Sequence, residues 1–109
     1  MIKNKLKAPN FKLLSTGDKE IELKKLKSKY IVLYFYPKDD TPGCTLETKD
    51  FNKLLNKFKK EDCLIFGISK DDIKSHEKFK KKYSVKFDLL ADEDKKVMKS
   101  YKGWAKKKF

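Results

Sequence analysis

The sequence predicts an α/β domain with a mostly parallel sheet that is flanked by helices. After residue 31, short apolar runs alternate with longer segments whose apolar residues recur at helical spacing. The runs 31–36 and 64–68 are apolar at almost every position, which is typical of parallel strands covered on both faces. Because the chain has 109 residues, we expect a single domain that spans residues 1–109.

The N-terminal part predicts a β-hairpin followed by a strand. Residues 11–14 and 21–23 are short apolar segments on either side of the turn-forming tetrad 15–18 (STGD). We interpret the run 31–36 (IVLYFY) as the central strand of the sheet, because both of its faces are apolar. Residues 37–43 are predicted to be a loop, since two prolines, two aspartates and a glycine favour neither strand nor helix.

Helical spacing marks the segment after this loop. An apolar stripe at i, i+3, i+4 and i+7 consists of Phe51, Leu54, Leu55 and Phe58. The stripe predicts an amphipathic helix that begins close to Cys44. The run 64–68 (LIFGI) predicts the next strand, so that run 31–36, the helix and run 64–68 form a right-handed βαβ unit.

Two further helices and one strand complete the predicted domain. The second helix has a stripe composed of Ile73, His76, Phe79 and Tyr83. Its candidate N-cap residues are Ser69, Asp71 and Asp72. Residues 87–90 predict a third parallel strand, and the acidic segment 92–94 (DED) precedes a last helix. The apolar residues of that last helix are Val97, Met98 and Tyr101, with Trp104 after them.

The charge of the chain suggests a nucleic-acid partner only weakly. The net charge is +13, and all 29 basic residues are lysines, so the guanidinium forks that bind phosphate and guanine are absent. We interpret the lysine runs as solvated helix faces and expect no specific nucleic-acid partner. A lysine-rich nucleic-acid binder stays as a third hypothesis, supported by charge alone.

The cysteine content and the N-terminal segment exclude other classes. The two cysteines, Cys44 and Cys63, form no Cys-x-x-Cys motif, which argues against a dithiol oxidoreductase. With His76 as the single histidine, a Cys/His zinc site is not expected. Lysines interrupt residues 1–14, so we expect neither a signal peptide nor a membrane span, and a cytoplasmic location.

Cys44 is the candidate nucleophile. It follows the first long strand at the predicted start of a helix, where unpaired N–H groups and the helix dipole stabilise a thiolate. Thr41 brings a hydroxyl within reach of the sulfur or of a bound oxygen, and Pro37 stiffens the loop. Asp39 and Asp40 oppose thiolate formation unless they point away or pair with lysine. The alternative is that Pro-Gly-Cys is a turn with an incidental cysteine.

The segment 33–45 (LYFYPKDDTPGCT) resembles the active-site segment of peroxiredoxins of the bacterioferritin comigratory protein type, also called the Q type. It contains that family's Pro-x-x-x-Thr-x-x-Cys motif at Pro37, Thr41 and Cys44. The resemblance covers nearly the whole chain. The other similar segments are 7–11, 67–69, 75–79, 87–92 and 101–104.

This resemblance implies a thioredoxin-like fold and thiol-dependent reduction of hydrogen peroxide and organic hydroperoxides, as an antioxidant activity. Cys44 would be the peroxidatic cysteine that becomes a sulfenic acid, Thr41 would orient the peroxide, and Pro37 would shield the thiolate. The family uses no metal or organic cofactor. An external thiol such as thioredoxin or glutaredoxin would be the reductant, and we expect no membrane partner and a monomer or weak homodimer.

The chain departs from the family pattern at three places. Lys49 stands where many members carry a resolving cysteine, which favours a one-cysteine cycle. Cys63 begins an apolar strand and is interpreted as a buried residue rather than a resolving one. Family members continue beyond Phe109 with further strands and an arginine of the peroxide site, so we expect a C-terminally truncated fold that reacts more slowly than a completed one. The alternative is that a neighbouring lysine or a partner chain supplies the charge of the arginine.

Two interpretations stay open. A catalytically impaired thioredoxin-fold remnant that acts as a binding domain is the alternative to the peroxidase. His76 is either a general base or, as its place on the helix stripe favours, a packing residue.

Overall fold

Five strands and three helices follow one another in a computed structural model that describes residues 8–108, with side chains as far as Gly103. The strands are β1 (Lys12–Ser15), β2 (Lys19–Glu22), β3 (Tyr30–Phe35), β4 (Cys63–Ser69) and β5 (Asp88–Ala91). The helices are α1 (Pro42–Lys60), α2 (Ile73–Lys82) and α3 (Lys96–Lys108). The strands form one sheet in the order β2-β1-β5-β4-β3.

The predicted hairpin is confirmed. β1 pairs antiparallel with β2, and Leu13 lies opposite Ile21. The turn between them contains Gly17 at φ 81° and Asp18 at φ 53°, both in the left-handed region that short turns require. β1 also pairs antiparallel with β5, so the hairpin is joined to the parallel strands.

The parallel unit and its two covered faces are also confirmed. β3 pairs parallel with β4, and β4 pairs parallel with β5. On one face, α1 and α2 bury Leu55 and Phe79 against the sheet. On the other face, α3 and the segment before β1 bury Tyr101 and Phe11. None of the helices in the described part of the chain combines the length and the apolar composition that a membrane span needs.

The prediction that run 31–36 is the central strand is wrong for the described part of the chain. β3 lies at one end of the strand order, and β5 lies in the middle. Its apolar pattern is nevertheless satisfied, because Val32 and Tyr34 face one core cluster while Ile31 faces the other. Burial of both faces depends on the layers above and below a strand, not on the number of its neighbours in the sheet.

The predicted loop 37–43 is two residues too long, because α1 begins at Pro42. Proline is favoured at the first helical position, since its missing N–H has no partner there and its φ is already helical. Thr41 is the N-cap residue, and its carbonyl accepts a 2.8 Å hydrogen bond from the Thr45 amide. Cys44 is therefore the third residue of α1, as the sequence predicted within a residue or two.

The starts of the other helices are fixed by aspartates. Asp72 is the N-cap of α2, and its carboxylate accepts a 2.8 Å hydrogen bond from the Ser75 amide. The carboxylate of Asp92 accepts hydrogen bonds from the first turn of α3, at 3.2 Å from the Val97 amide and 2.9 Å from the Met98 amide. The side chain of Trp104 lies outside the described residues, as does Lys7.

Gly67 is needed because the Tyr34 ring crosses β4 at this point. A Cβ placed on Gly67 would lie 2.7 Å from the Tyr34 hydroxyl oxygen and 2.9 Å from a methyl carbon of Leu89. We expect Gly67→Ala to lower the free energy of unfolding by about 1–3 kcal/mol, the usual cost of overpacking a core. Urea unfolding measures the change.

Gly103→Ala is the matched control, because an added Cβ at Gly103 in α3 meets no atom within 4 Å. The control should be neutral or slightly stabilising, since alanine favours helix more than glycine does. Equal stability of Gly67→Ala and the unchanged chain would contradict the close approach of Tyr34.

Candidate thiol site

The site lies at the carboxyl edge of the three parallel strands. β3 ends at Phe35, and the chain then forms a loop that leads into α1. Tyr36 extends the pairing with β4 by one hydrogen bond, from its amide to the Ile68 carbonyl at 3.0 Å. Ligands of parallel α/β sheets bind at this edge.

The Cys44 side chain is 8% exposed and packs within the core cluster that contains Tyr34 and Tyr36. Both cysteines are free thiols. The N–H groups of the first turn of α1 have no acceptor inside the helix, so they are available to an anion at this end. The arrangement therefore combines a shielded sulfur with a helix N-terminus that stabilises negative charge.

A neutral tyrosine lies close to this thiol. The Tyr34 hydroxyl shares a 2.9 Å hydrogen bond with the Thr48 hydroxyl of α1. Burial raises the pKa of Tyr34, and the nearby Glu47, Asp39 and Cys44 raise it further. The phenol therefore stays uncharged at neutral pH and connects α1 to β3 through a hydrogen bond.

The Thr41 hydroxyl is not hydrogen-bonded to Cys44. Its hydroxyl donates to the Lys38 carbonyl at 3.1 Å, across the loop. Because the single hydroxyl proton is engaged, the lone pairs of the Thr41 oxygen are available to accept a hydrogen bond from another group. A Cβ at the neighbouring Gly43 would meet no atom within 4 Å, so there is open space beside the helix start.

Pro37 lies on the solvent side of the loop. It is exposed, and it borders a pocket of about 160 Å³ together with Tyr36, Ser69 and Met98. Cys44 does not line this pocket. The structure thus places all three motif residues on one loop and helix start, while their side chains have different surroundings.

Both aspartates of the loop have partners, which answers the concern that they oppose a thiolate. Asp40 forms an ion pair with Lys82, at 2.7 Å, and accepts a 2.6 Å hydrogen bond from the Tyr83 hydroxyl. These hydrogen bonds lower the pKa of Asp40. Asp39 is buried, and its carboxylate lies 2.7 Å from the His76 ring.

His76 is 0% exposed, so its predicted place in the core is confirmed. Both of its ring nitrogens have protein partners, Asp39 at 2.7 Å and the Leu90 carbonyl at 2.9 Å. The pairing of His76 with Asp39 was not predicted from the sequence. The apolar stripe of α2 contained a signal for such a partner. A histidine on the buried face of a helix needs hydrogen-bond partners in the core.

Three side chains at this edge have donor atoms within 4.8 Å of one another: Asp39, Asp71 and His76. These potential ligand atoms already take part in hydrogen bonds within the protein. One Asp71 oxygen accepts hydrogen bonds from the Asp39 amide at 2.8 Å and from the Ser69 hydroxyl at 2.6 Å. This cluster is therefore a hydrogen-bonded network, and we assign no metal to it.

Cys63 lies at the opposite end of the sheet from Cys44. It is the first residue of β4 and pairs with Tyr30, the first residue of β3. Between Cys44 and Lys60, α1 runs back along the sheet for about 24 Å, at about 1.5 Å per residue. Burial raises the pKa of the Cys63 thiol, which disfavours its thiolate. The two sulfurs are too far apart for a disulfide within one chain.

We expect Cys63→Ser to leave the single-turnover oxidation of Cys44 unchanged, because Cys63 is distant from the site. The measurement is the rate of loss of the Cys44 thiol after one equivalent of peroxide, followed by mass spectrometry. A Cys44–Cys63 disulfide within a monomer would refute this prediction.

Stability should fall on acidification. Burial by itself raises the pKa of Asp88, but hydrogen bonds from Lys19, Lys80 and Thr16 outweigh burial, and the pKa is lowered. A lowered folded-state pKa stabilises the fold above the ordinary aspartate pKa of about 4 and ceases to do so as the pH falls through the folded value. Asp39 has a lowered pKa as well, so it acts in the same direction.

Urea unfolding between pH 6 and pH 2.5 measures this loss. Asp88→Asn should make stability less dependent on pH, whereas Asp50→Asn, at an exposed position of α1, is the control for loss of one carboxylate. Equal pH dependence of Asp88→Asn and the unchanged chain would show that Asp88 does not contribute.

A model of the AhpC/TSA family matches residues 5–109. The peroxiredoxin Bcp of Bacillus subtilis is 43% identical over 102 residues, which are 94% of this chain and 65% of that protein. The Bcp-type protein of Helicobacter pylori strain J99 is 50% identical over 100 residues, which are 92% of this chain and 66% of that protein. The chain thus spans slightly less than two thirds of the length of these relatives.

Solved structures agree with the sequence comparison. The peroxiredoxin Q of Xanthomonas campestris matches with a TM-score of 0.82 and 39% identity, over 84% of this chain and 58% of that one. The peroxidoxin BcpB of Mycobacterium tuberculosis matches with a TM-score of 0.82 and 28% identity. The predicted thioredoxin-like α/β class is confirmed, in a mixed sheet of which three strands are parallel.

Proposed function

Because the chain belongs to the AhpC/TSA family, we propose that it is a thiol-dependent peroxidase whose reacting atom is the Cys44 sulfur. The observation that carries this proposal is the place of Cys44, shielded in the first turn of α1 at the carboxyl edge of the sheet. A helix N-terminus stabilises the thiolate, which is the reactive form of cysteine. The substrates are hydrogen peroxide and organic hydroperoxides.

The chemistry needs no resident cofactor. The Cys44 thiolate attacks one peroxide oxygen, the O–O bond breaks, and Cys44 becomes a sulfenic acid. The other oxygen leaves with the electron pair of the broken bond and takes up a proton as water or an alcohol. An external thiol then displaces the sulfenic oxygen as water and forms a mixed disulfide, and a second thiol releases Cys44.

Thr41 and Pro37 support this step. The Thr41 oxygen, whose own proton is donated to the Lys38 carbonyl, accepts a hydrogen bond from the peroxide O–H and orients it toward Cys44. Pro37 fixes the start of the loop and shields the thiolate from bulk water. The first-turn N–H groups of α1 bind the polar oxygens of the substrate.

The reductant is an external thiol protein such as thioredoxin or glutaredoxin. Lys49 stands at the position of a resolving cysteine and Cys63 is remote, so neither completes the cycle within the chain. Residues 1–109 act as one thioredoxin-like peroxiredoxin domain, as a monomer or weak homodimer, in the cytoplasm. No observation on the described residues favours the alternative of a non-catalytic binding domain.

Stopped-flow consumption of peroxide with excess dithiothreitol tests the function. We expect the rate of peroxide consumption to be first-order in protein and first-order in peroxide. This rate should exceed the rate at which dithiothreitol alone consumes peroxide. Prior alkylation of the protein should abolish it. A rate equal to that of the reductant alone, with a folded protein, would reject the peroxidase and leave the binding domain as the better hypothesis.

A further inference from the structure

A buried polar network lies beside the loop that leads to Cys44. It consists of Tyr36, Asp39, Ser75 and His76, and we call it the loop anchor. Asp39 is 7% exposed, although it lies in a loop. One of its carboxylate oxygens accepts a 2.6 Å hydrogen bond from the Tyr36 hydroxyl. The other accepts a 2.9 Å hydrogen bond from the Ser75 hydroxyl and lies 2.7 Å from His76 Nδ1.

Each ring nitrogen of His76 faces an acceptor oxygen. Nε2 lies 2.9 Å from the Leu90 carbonyl oxygen, which can only accept, so Nε2 donates. Burial raises the pKa of Asp39, but hydrogen bonds from His76 and Tyr36 outweigh burial and lower it, so the carboxylate is ionised at neutral pH. An ionised carboxylate also only accepts, so this geometry suits a ring that donates from both nitrogens.

The charge of Asp39 matters for Cys44 because the two groups share a neighbour. The neighbour is Tyr36, whose hydroxyl donates to Asp39 at 2.6 Å and whose ring packs in the same buried cluster as Cys44. A buried carboxylate without a counterion would oppose formation of a second anion there. A cation at His76 cancels this effect. Asp71, whose carboxylate lies in the same group as Asp39 and His76, accepts hydrogen bonds from the Asp39 amide and from the Ser69 hydroxyl.

We propose that His76 and Asp39 are positioning residues for Cys44. The two side chains form an imidazolium–carboxylate pair. This pair fixes the loop before α1 and cancels the buried carboxylate charge beside the thiol. The pair ties that loop to α2, because His76 and Ser75 belong to α2 and Asp39 to the loop. The significance of the pair for catalysis rests on the proposed function of Cys44, but the charge state of the pair does not.

The single histidine of the chain allows a direct test of the charge state. In a nitrogen-15 NMR spectrum of the full chain at pH 7.5, both ring nitrogens of His76 should show the shifts of protonated nitrogens. In Asp39→Asn, one of them should show the shift of an unprotonated nitrogen, because the amide can donate to it. One unprotonated nitrogen in the unchanged chain at this pH would overturn the imidazolium.

The pH profile of Cys44 alkylation by iodoacetamide, followed on the Cys44 peptide by mass spectrometry, tests the effect on the thiol. His76→Gln leaves the carboxylate charge uncancelled, so the midpoint of the profile should rise by about one pH unit, the order of shift that one nearby like charge produces. Asp39→Asn, alone or together with His76→Gln, should keep the midpoint of the unchanged chain. Lys78→Gln, which removes an exposed charge of α2, is the control.

If the two residues had a purely structural role, His76→Gln would keep the midpoint of the unchanged chain, or the double variant would shift the midpoint more than either single variant. Either result would overturn the proposal. If His76→Gln does not fold, Asp39→Asn decides alone. A fall of its midpoint would mean that Asp39 acts as an uncancelled charge. Alkylation does not depend on peroxide turnover, so loss of peroxidase activity with normal alkylation profiles would count against the proposed function only.

Discussion

Cys44→Ser is expected to abolish peroxide turnover while the fold is retained. A serine hydroxyl is almost entirely protonated at neutral pH, so it cannot replace a thiolate as the attacking group. Loss of a catalytic nucleophile reduces the rate on the order of 10⁴-fold to 10⁶-fold. The measurement is stopped-flow consumption of hydrogen peroxide with excess dithiothreitol, together with circular dichroism for the fold.

Cys63→Ser is the matched control for this variant. Cys63 is also a buried free cysteine, 4% exposed compared with 8% for Cys44, but it lies at the other end of the sheet. It should keep the rate of the unchanged chain. The assignment of the reacting sulfur would be refuted if Cys44→Ser kept most of the peroxidase activity. It would also be refuted if both variants lost the same share of that activity.

Thr41→Val is expected to slow Cys44 oxidation by about a hundredfold, the typical effect of losing one oriented polar contact to the reacting group. Valine keeps the shape of threonine but removes the oxygen that would accept the peroxide proton. Because the Thr41 hydroxyl bond to the Lys38 carbonyl is exposed, its loss should cost only about 1 kcal/mol of stability. The second-order rate constant of Cys44 oxidation by peroxide measures the effect.

Two further threonine variants separate chemistry from loop structure. Thr41→Ser retains the hydroxyl and should recover most of the rate. Thr45→Val removes a hydroxyl one turn further along α1, where the Thr45 Oγ1 atom is buried and has no hydrogen-bond partner. It should therefore leave the rate unchanged. If Thr41→Val and Thr45→Val slowed oxidation equally, the loss would reflect packing at the helix start rather than peroxide orientation.

The sequence by itself determined the local elements of this protein. The hairpin, the doubly covered strands and the helix that begins beside Cys44 were all predictable, because each depends on side-chain periodicity and turn residues within about ten positions. Aspartate caps such as Asp72 were predictable for the same reason. The exact start of α1 was not, because Pro42 and Gly43 fit a first helical turn as well as a loop.

The tertiary structure alone decided which distant groups meet. β3 lies at the end of the described strand order, since strand order depends on edges that pair across long stretches of chain. Asp39 meets His76 across 37 positions, and Cys63 lies far from Cys44 although only α1 and a short turn separate them in sequence. Periodicity tells which side chains turn inward, but the partners that they find depend on how helices and strands pack, and no local pattern records that.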